Sequence, residues 1–168
     1  IEPWTFLQEI NFGKCDLKIG ELAVKSLEMA AKDIKNNLTQ VLVTAPINKE
    51  AIQSETFTFK GHTDYLDSKF DGSSLMFMVT NNLKIGLLTE HVPVSAIKEL
   101  ISEELVIKKI NGIYESLQKD FSITKPKIAV LGINPHSGDN GVIGNEDDTV
   151  LKPALEKAKE KGKLIYGP

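Results

Sequence analysis

The chain has 168 residues, of which 41% are hydrophobic and 26% charged, as is typical of one soluble, globular domain. A net charge of −3 provides no positive field for nucleic acid, and one cysteine excludes an internal disulfide or a multi-thiolate metal cluster. No apolar run approaches the ~20 residues that cross a bilayer, and Ile1-Glu2-Pro3-Trp4 lacks the basic-then-apolar pattern of a signal peptide. We therefore expect a cytoplasmic protein without nucleic-acid or membrane partners. Because the first residue is not Met, we also expect a piece of a longer protein.

The first half predicts a helix, a strand and a hairpin, in that order. Residues 20–37 carry apolar side chains at three- and four-residue steps, which predicts an amphipathic helix. Residues 41–44 are a short β-branched run before Pro46 and predict a buried strand. Residues 75–80 and 83–89 predict a hairpin that turns at Asn81-Asn82, a dipeptide that tolerates positive φ.

The second half predicts helices around one further strand. A short helix is expected over residues 94–100, capped by Ser95, and a longer amphipathic helix over residues 103–121. Residues 127–132 predict a buried strand, followed by a Gly-rich loop over 134–145 and a helix over 149–161 that ends at Gly162. Strands separated by helices predict an α/β layered sheet with parallel and antiparallel members.

All three histidines lie beyond predicted strands, where ligands gather in open α/β sheets. His62 is in the polar segment after the first strand, His91 follows the hairpin and His136 follows the last strand. Imidazole is a common ligand of divalent metals, so His91 and His136 are candidate ligands. Their spacing matches no compact metal motif, and ordinary surface histidines are the alternative. A third ligand would be His62, a carboxylate or a residue outside the chain.

Other polar residues in these loops allow both a functional and a structural interpretation. Lys49 is suited to a substrate phosphate, or is a solvated loop lysine. The carboxylates next to the histidines could orient them; these are Asp64, Glu90 and Asp139. The glycines of the last loop either supply positive φ or let the backbone approach a ligand; these are Gly138, Gly141 and Gly144. Their spacing is not the dinucleotide fingerprint.

Four motifs together resemble the 4-hydroxythreonine-4-phosphate dehydrogenase family of vitamin B6 biosynthesis. They occur in the family's order and cover about residues 20–168. The motifs are Thr44-Ala45-Pro46-Ile47-Asn48-Lys49, Phe59-Lys60-Gly61-His62-Thr63-Asp64-Tyr65-Leu66, Thr89-Glu90-His91-Val92-Pro93-Val94 and Gly132-Ile133-Asn134-Pro135-His136-Ser137-Gly138-Asp139, with Gly144 beyond.

The resemblance implies a fold, a reaction and site residues. The fold would be a layered α/β/α arrangement with a mixed, mostly parallel sheet, like that of isocitrate and isopropylmalate dehydrogenases and present only in part. The reaction would be NAD- or NADP-dependent oxidation of 4-phosphohydroxy-L-threonine to a 3-keto acid, which decarboxylates to 3-amino-2-oxopropyl phosphate. His62 and Thr63 would bind this substrate with Lys49. His91 and His136 would bind a divalent metal, with zinc expected and magnesium, cobalt or manganese as alternatives.

The chain also departs from the family, whose members are roughly twice as long. The family's third metal histidine, which comes across a homodimer interface, and most of the nicotinamide site lie in parts that this chain lacks. We therefore expect a single globular unit from the centre of a two-domain dehydrogenase, inactive alone, and assign no catalytic or nicotinamide-binding residue. The alternatives are a paralogue that oxidises threonate or erythronate phosphate and a non-catalytic binding or assembly domain.

Overall fold

The computed structural model describes residues 12–160 and 162–168. They fall into two compact units, of which the first ends at Ser74 and the second begins at Leu75. Each unit has its own small hydrophobic core. Whether the two unfold together, as expected of a single globular unit, stays a prediction.

The described part of the first unit is built on two helices, α1 (Leu17–Lys35) and α2 (His62–Lys69). The predicted first helix is confirmed, and it begins three residues early because Asp16 caps it by accepting from the Lys18 N–H at 3.0 Å. Its apolar stripe packs against the loop between the helices and against α2. The buried members of this core are Leu27, Ala31, Ile52, Phe57 and Tyr65.

The strand predicted over residues 41–44 is wrong. This segment has no strand pairing among the described residues, and Val41 and Val43 are 76% and 90% exposed. Only Leu42 contacts the core. β-branched residues favour extended backbone, but a strand also needs a neighbour to accept and donate its ladder hydrogen bonds.

The described residues of the second unit form four short strands in two pairs. β1 (Phe77–Val79) and β2 (Lys84–Gly86) are antiparallel, with Met78 opposite Ile85, which confirms the predicted hairpin. The turn closes through the Thr80 N–H and the Leu83 carbonyl at 2.8 Å, although neither asparagine has positive φ. β3 (Lys127–Ala129), the predicted last strand, pairs in parallel with β4 (Leu164–Tyr166).

The second unit also contains the predicted helices. α3 (Ile97–Leu100) follows a 3-10 turn over Val94–Ala96, and α4 (Glu103–Lys119) follows its cap, Ser102. Capping by Ser95 is wrong, because Pro93 precedes the 3-10 turn and no side-chain cap bond forms there. α5 (Lys152–Lys159) continues from a π-helical turn over Asp147–Leu151. The predicted end of this helix, Lys161, lies outside the described residues.

The core of the second unit fixes the position of the loop that carries His136. One face of α4 and of α5 packs with Ile128 of β3 and Ile165 of β4, and the members of α5 and its preceding turn are almost completely buried. β3, α5 and β4 therefore form a parallel β-α-β crossover. The loop that carries His136 leaves the carboxyl end of β3, which is where ligands bind in such folds.

Candidate functional site

The loop of the first motif is a compact turn built by Asn48. Its side-chain oxygen accepts from the N–H groups of Glu50 and Ala51 at 3.0 and 3.1 Å. The turn also lies against α1 so closely that a Cβ on Gly20 would be 1.8 Å from the Ala51 carbonyl oxygen. Lys49, the next residue of this turn, is exposed. The asparagine of the motif therefore shapes the loop and presents the lysine to solvent.

The second motif forms the start of α2. His62 and Thr63 are its first two residues and are half-buried, and Asp64 accepts from the Lys60 N–H at 3.1 Å. That carboxylate thus holds the entry to the helix, and it makes no hydrogen bond or ion pair with the His62 ring. A Cβ on Gly61 would lie 3.8 Å from Cε of Lys49. The fold therefore brings Lys49 to the beginning of the motif that contains His62 and Thr63.

Aromatic packing fixes α2 in the first unit. Tyr65 lies 5.3 Å from the rings of both Phe57 and Phe59, measured between centroids. Burial, followed by the charge of Glu28, raises the pKa of Tyr65. The Gln53 side chain donates to the carbonyls of Lys49 and Phe59 and so ties the two motif loops together.

A cleft of about 160 Å³ lies beside the Asn48 turn. α1 lines one side of it, and its wall includes Pro46 and Asn48 of the first motif. The predicted substrate residues Lys49, His62 and Thr63 are not among its lining residues. The cleft therefore gives no direct support to their assignment.

His91 lies in the second unit, in the loop between β2 and the 3-10 turn. It is exposed and has a left-handed backbone, with φ of 54°. The preceding residue, Glu90, accepts from Lys109 Nζ at 3.4 Å, and its Oε2 is buried with no hydrogen-bond partner in the described part of the chain. The contact that the structure gives Glu90 is thus with α4 and not with the histidine.

His136 is in the loop after β3 and is also exposed and left-handed, with φ of 53°. Positive φ continues at Ser137, Gly138, Asp139, Asn140 and Gly141. The loop is closed by the N–H of Ile143, which donates to the Gly138 carbonyl at 3.0 Å. Gly138 has the expected positive φ, at 85°, and closely approaches the Gly144 backbone. Approach of these glycines to a ligand stays a prediction.

Two acidic residues that the sequence analysis missed hold the base of this loop. Glu146 accepts from Asn134 Nδ2 at 2.9 Å and pairs with Lys98 Nζ at 2.8 Å. These bonds, that of Lys98 first, lower the pKa of Glu146 to about 2, and the same pairing raises the pKa of Lys98. The Lys98–Glu146 pair joins the segment that follows His91 to the loop that carries His136.

Asp147 is the second of these acidic residues and is 0% exposed. Burial alone would raise its pKa, but hydrogen bonds from the backbone of Asn134 and Ile133 and from the Asn134 side chain outweigh it, and the pKa is lowered. In the sequence, Glu146-Asp147-Asp148 reads only as an acidic run before a helix. No signal in the sequence distinguishes Asp147 from its acidic neighbours, because its role depends on the donors of Ile133 and Asn134.

The donor chemistry of the described residues fits part of a metal site. Nowhere in residues 12–160 and 162–168 do three His, Cys, Asp or Glu side chains come together as a metal-binding group. His91 and His136 are both exposed in the same unit, so both imidazoles are accessible to an ion. Their use as two ligands of one ion stays a prediction, and such a site would need at least one more ligand.

Strands, helices and polar loops of this kind define an α/β protein with mixed strand pairs and its candidate ligands beyond the strand ends. Comparison with known proteins gives the family. The chain belongs to the family of the pyridoxal phosphate biosynthetic protein PdxA, whose family model matches residues 2–168. The resemblance read from the four motifs is thereby confirmed.

Individual relatives agree with this placement. A 4-hydroxythreonine-4-phosphate dehydrogenase of Bacteroides thetaiotaomicron is 41% identical over 162 residues, which are 95% of this chain and 44% of that protein. A D-threonate 4-phosphate dehydrogenase of Salmonella typhimurium is 32% identical over 168 residues, which are 99% of this chain and 51% of that one. The chain thus spans about half the length of the curated relatives it matches.

Solved structures confirm the predicted fold class. The 4-hydroxythreonine-4-phosphate dehydrogenase of Klebsiella pneumoniae has a TM-score of 0.84 at 27% identity, with 99% of this chain and 50% of that one covered. A terephthalate 1,2-cis-dihydrodiol dehydrogenase from Burkholderia xenovorans, at 18% identity and a TM-score of 0.66, shares the fold. Among the described residues, no helix combines the length and apolar character needed to span a membrane.

Proposed function

We propose that this chain is the central portion of a cytoplasmic, NAD- or NADP-dependent dehydrogenase that requires a divalent metal. The substrate is 4-phosphohydroxy-L-threonine. Its secondary alcohol is oxidised to a 3-keto acid, which loses carbon dioxide to give 3-amino-2-oxopropyl phosphate on the route to pyridoxal phosphate. The observation that carries the proposal is the family match over residues 2–168, which includes every motif histidine.

In this proposal the first unit binds substrate. Lys49 supplies a positive charge for the phosphate, and its position beside Gly61 supports a shared role with His62 and Thr63. The half-buried His62 and Thr63 offer an imidazole and a hydroxyl that can hydrogen-bond a polar substrate. Binding by several such groups would orient the alcohol for oxidation.

The second unit holds the metal through His91 and His136. Bound there, a divalent ion would supply positive charge that stabilises an oxyanion, and a nicotinamide cofactor would supply a hydride acceptor. The remaining ligand and the nicotinamide site would come from chain outside these residues, with the ligand supplied across a homodimer interface. Zinc is the expected ion, with magnesium, cobalt and manganese as alternatives.

Zinc titration tests the metal assignment directly. We expect calorimetry at neutral pH to detect binding that is lost in His91→Ala and in His136→Ala. His62→Ala is the matched control and should bind as wild type does, so its loss of binding would identify His62 as the third ligand. If none of the proteins binds zinc, the titration is repeated with a version extended to the length of the relatives, and failure there refutes the metal assignment.

A paralogous activity is the second candidate, and the Salmonella relative named for D-threonate 4-phosphate favours it. The extended version should be assayed with 4-phosphohydroxy-L-threonine and with threonate and erythronate phosphates, following reduction of NAD or NADP by absorbance. A higher kcat/KM for the hydroxythreonine supports the first proposal, and a higher value for a sugar-acid phosphate supports the second. No turnover of any of them would favour a binding or assembly domain.

A further inference from the structure

A completely buried carboxylate lies beneath the loop that carries His136. Asp147 Oδ1 accepts from the Ile133 N–H at 2.8 Å, and its Oδ2 accepts from the Asn134 N–H at 2.9 Å and from Asn134 Nδ2 at 3.1 Å. Burying an ionised carboxylate is costly unless hydrogen bonds compensate it. All three donors here belong to the two residues at the entry of the loop. The carboxylate therefore acts on the loop and not on the hydrophobic core around α5.

The same loop has a backbone that needs external support. His136, Ser137, Asp139 and Asn140 all have φ between 46° and 54°, in the left-handed region. Each such residue other than glycine costs on the order of 1 kcal/mol, and the strain persists only where the surroundings determine it. Just outside this run lies Asn134, the residue that Asp147 holds by both backbone and side chain.

A second layer of contacts holds the same residue. The Asn134 side chain also donates to Glu146 Oε2, and the other oxygen of Glu146 pairs with Lys98. The base is tightly packed as well, because a Cβ on Gly132 would lie 3.2 Å from Asp147 Oδ1 and 3.0 Å from Ser137 Oγ. A change at Asp147 would therefore be transmitted to the loop.

The geometry points to Asp147 as the positioning residue for His136: its buried carboxylate holds the entry of the left-handed loop and so fixes where the imidazole is presented. The inference rests on the proposed function, in which His136 is a metal ligand. Asp147 contacts the loop backbone and Asn134, so it acts through them. Groups that orient a metal ligand in this way typically change metal affinity about 10- to 100-fold when removed.

The test uses the chain labelled at its histidines. The sequence contains three histidines, so NMR resolves one imidazole signal for each. In Asp147→Asn the amide replaces one acceptor oxygen by a donor, which cannot accept from the loop. We expect the His136 signal to shift while the His62 signal does not. The Ile133 and Asn134 amides should exchange with solvent about ten-fold faster, and zinc should perturb His136 at about ten-fold higher concentration.

Two variants separate positioning from stability and from charge. Leu155→Ala removes a side chain that is 1% exposed in the same core, and so lowers the melting temperature without touching the loop. Asp148→Asn removes the neighbouring charge, which pairs with Lys152 at the surface. Both should leave the His136 signal and its zinc response as in wild type. If Asp147→Asn fails to fold, Asn134→Ala removes the side-chain donor and should shift the His136 signal in the same way.

The outcomes distinguish this inference from the proposed function. If the His136 signal and the amide exchange in Asp147→Asn match those of Asp148→Asn, or if Leu155→Ala changes them equally, Asp147 is a stabilising residue only and the inference is overturned. If zinc leaves His136 unperturbed in the wild-type chain and in the extended version, the metal assignment fails. The metal-free signal and amide exchange would still decide whether Asp147 positions the loop.

Discussion

Two glycines of the His136 loop allow a sharp test of how tightly that loop is built. Gly138 and Gly141 have similar backbones, with φ of 85° and 90°. They differ in the space around them. A Cβ on Gly138 would lie 2.2 Å from the Gly144 carbonyl oxygen, whereas a Cβ on Gly141 would meet nothing within 4 Å. Gly138→Ala and Gly141→Ala therefore form a matched pair in which steric contact is the variable.

The magnitudes follow from these two differences. Placing an L-residue at positive φ costs about 1–2 kcal/mol, and Gly141→Ala should lose only that amount. Gly138→Ala carries the same cost. Its methyl group would also lie far inside the ~3.5 Å of ordinary carbon contact, and overpacking of this kind adds about 1–3 kcal/mol. We expect Gly138→Ala to lower the free energy of unfolding by about 2–5 kcal/mol in total.

Urea-induced unfolding followed by far-ultraviolet circular dichroism measures both values. The His136 imidazole signal reports in parallel whether the loop has moved. Losses of stability that agree within about 0.5 kcal/mol would refute the reasoning, because they would mean that Gly138 does not closely approach Gly144 in solution. A larger loss in Gly141→Ala would refute it as well.

Three further predictions concern the core of the first unit, the buried Asp147 and the ion pair of Lys98 with Glu146. Phe57 is 2% exposed, so Phe57→Ala should lower the stability of the first unit by about 3–5 kcal/mol, as measured by amide exchange of α1 and α2. Phe12→Ala, at an exposed position, should leave that stability almost unchanged. The pKa of Asp147 lies below its ordinary 3.8, so its stabilisation is present above that value and is lost as the pH falls through the folded pKa. The difference in unfolding free energy between wild type and Asp147→Asn should therefore narrow below about pH 4, and a widening would contradict this. Lys98→Met should raise the pKa of Glu146 from about 2 towards 4.5, as measured by NMR titration of the carboxyl group. An unchanged pKa would mean that Lys98 does not pair with Glu146 in solution.

Helices and strands whose packing or pairing partners lie within the same unit were predictable from the sequence. α4 buries four residues of its apolar stripe, and the hairpin of β1 and β2 closes through a turn of four consecutive residues. Local periodicity carries most of the information for such elements, because their partners are near in the sequence or are any apolar surface. Their ends were less accurate, since a cap such as Asp16 can extend a helix beyond its apolar pattern.

Elements that depend on other parts of the chain were not predictable in this way. Residues 41–44 have strand propensity but no ladder partner among the described residues, so propensity alone gave the wrong state. α2 was missed because its pattern is weak and only Tyr65 of its eight residues is buried. Three aromatic rings fix this helix, and their meeting is a property of the fold.

The residues of the candidate site likewise differ in whether the sequence alone could identify them. His91 and His136 could be selected by residue type, because imidazole is suited to metal binding wherever it is exposed. Asp147 could not, since an acidic residue before a helix is ordinarily a solvated cap, and its role depends on which N–H groups face it. Those groups belong to Ile133 and Asn134, more than ten residues earlier in the chain. Residue type therefore predicts candidate ligands, whereas the groups that position them become visible only when the backbone donors have been placed.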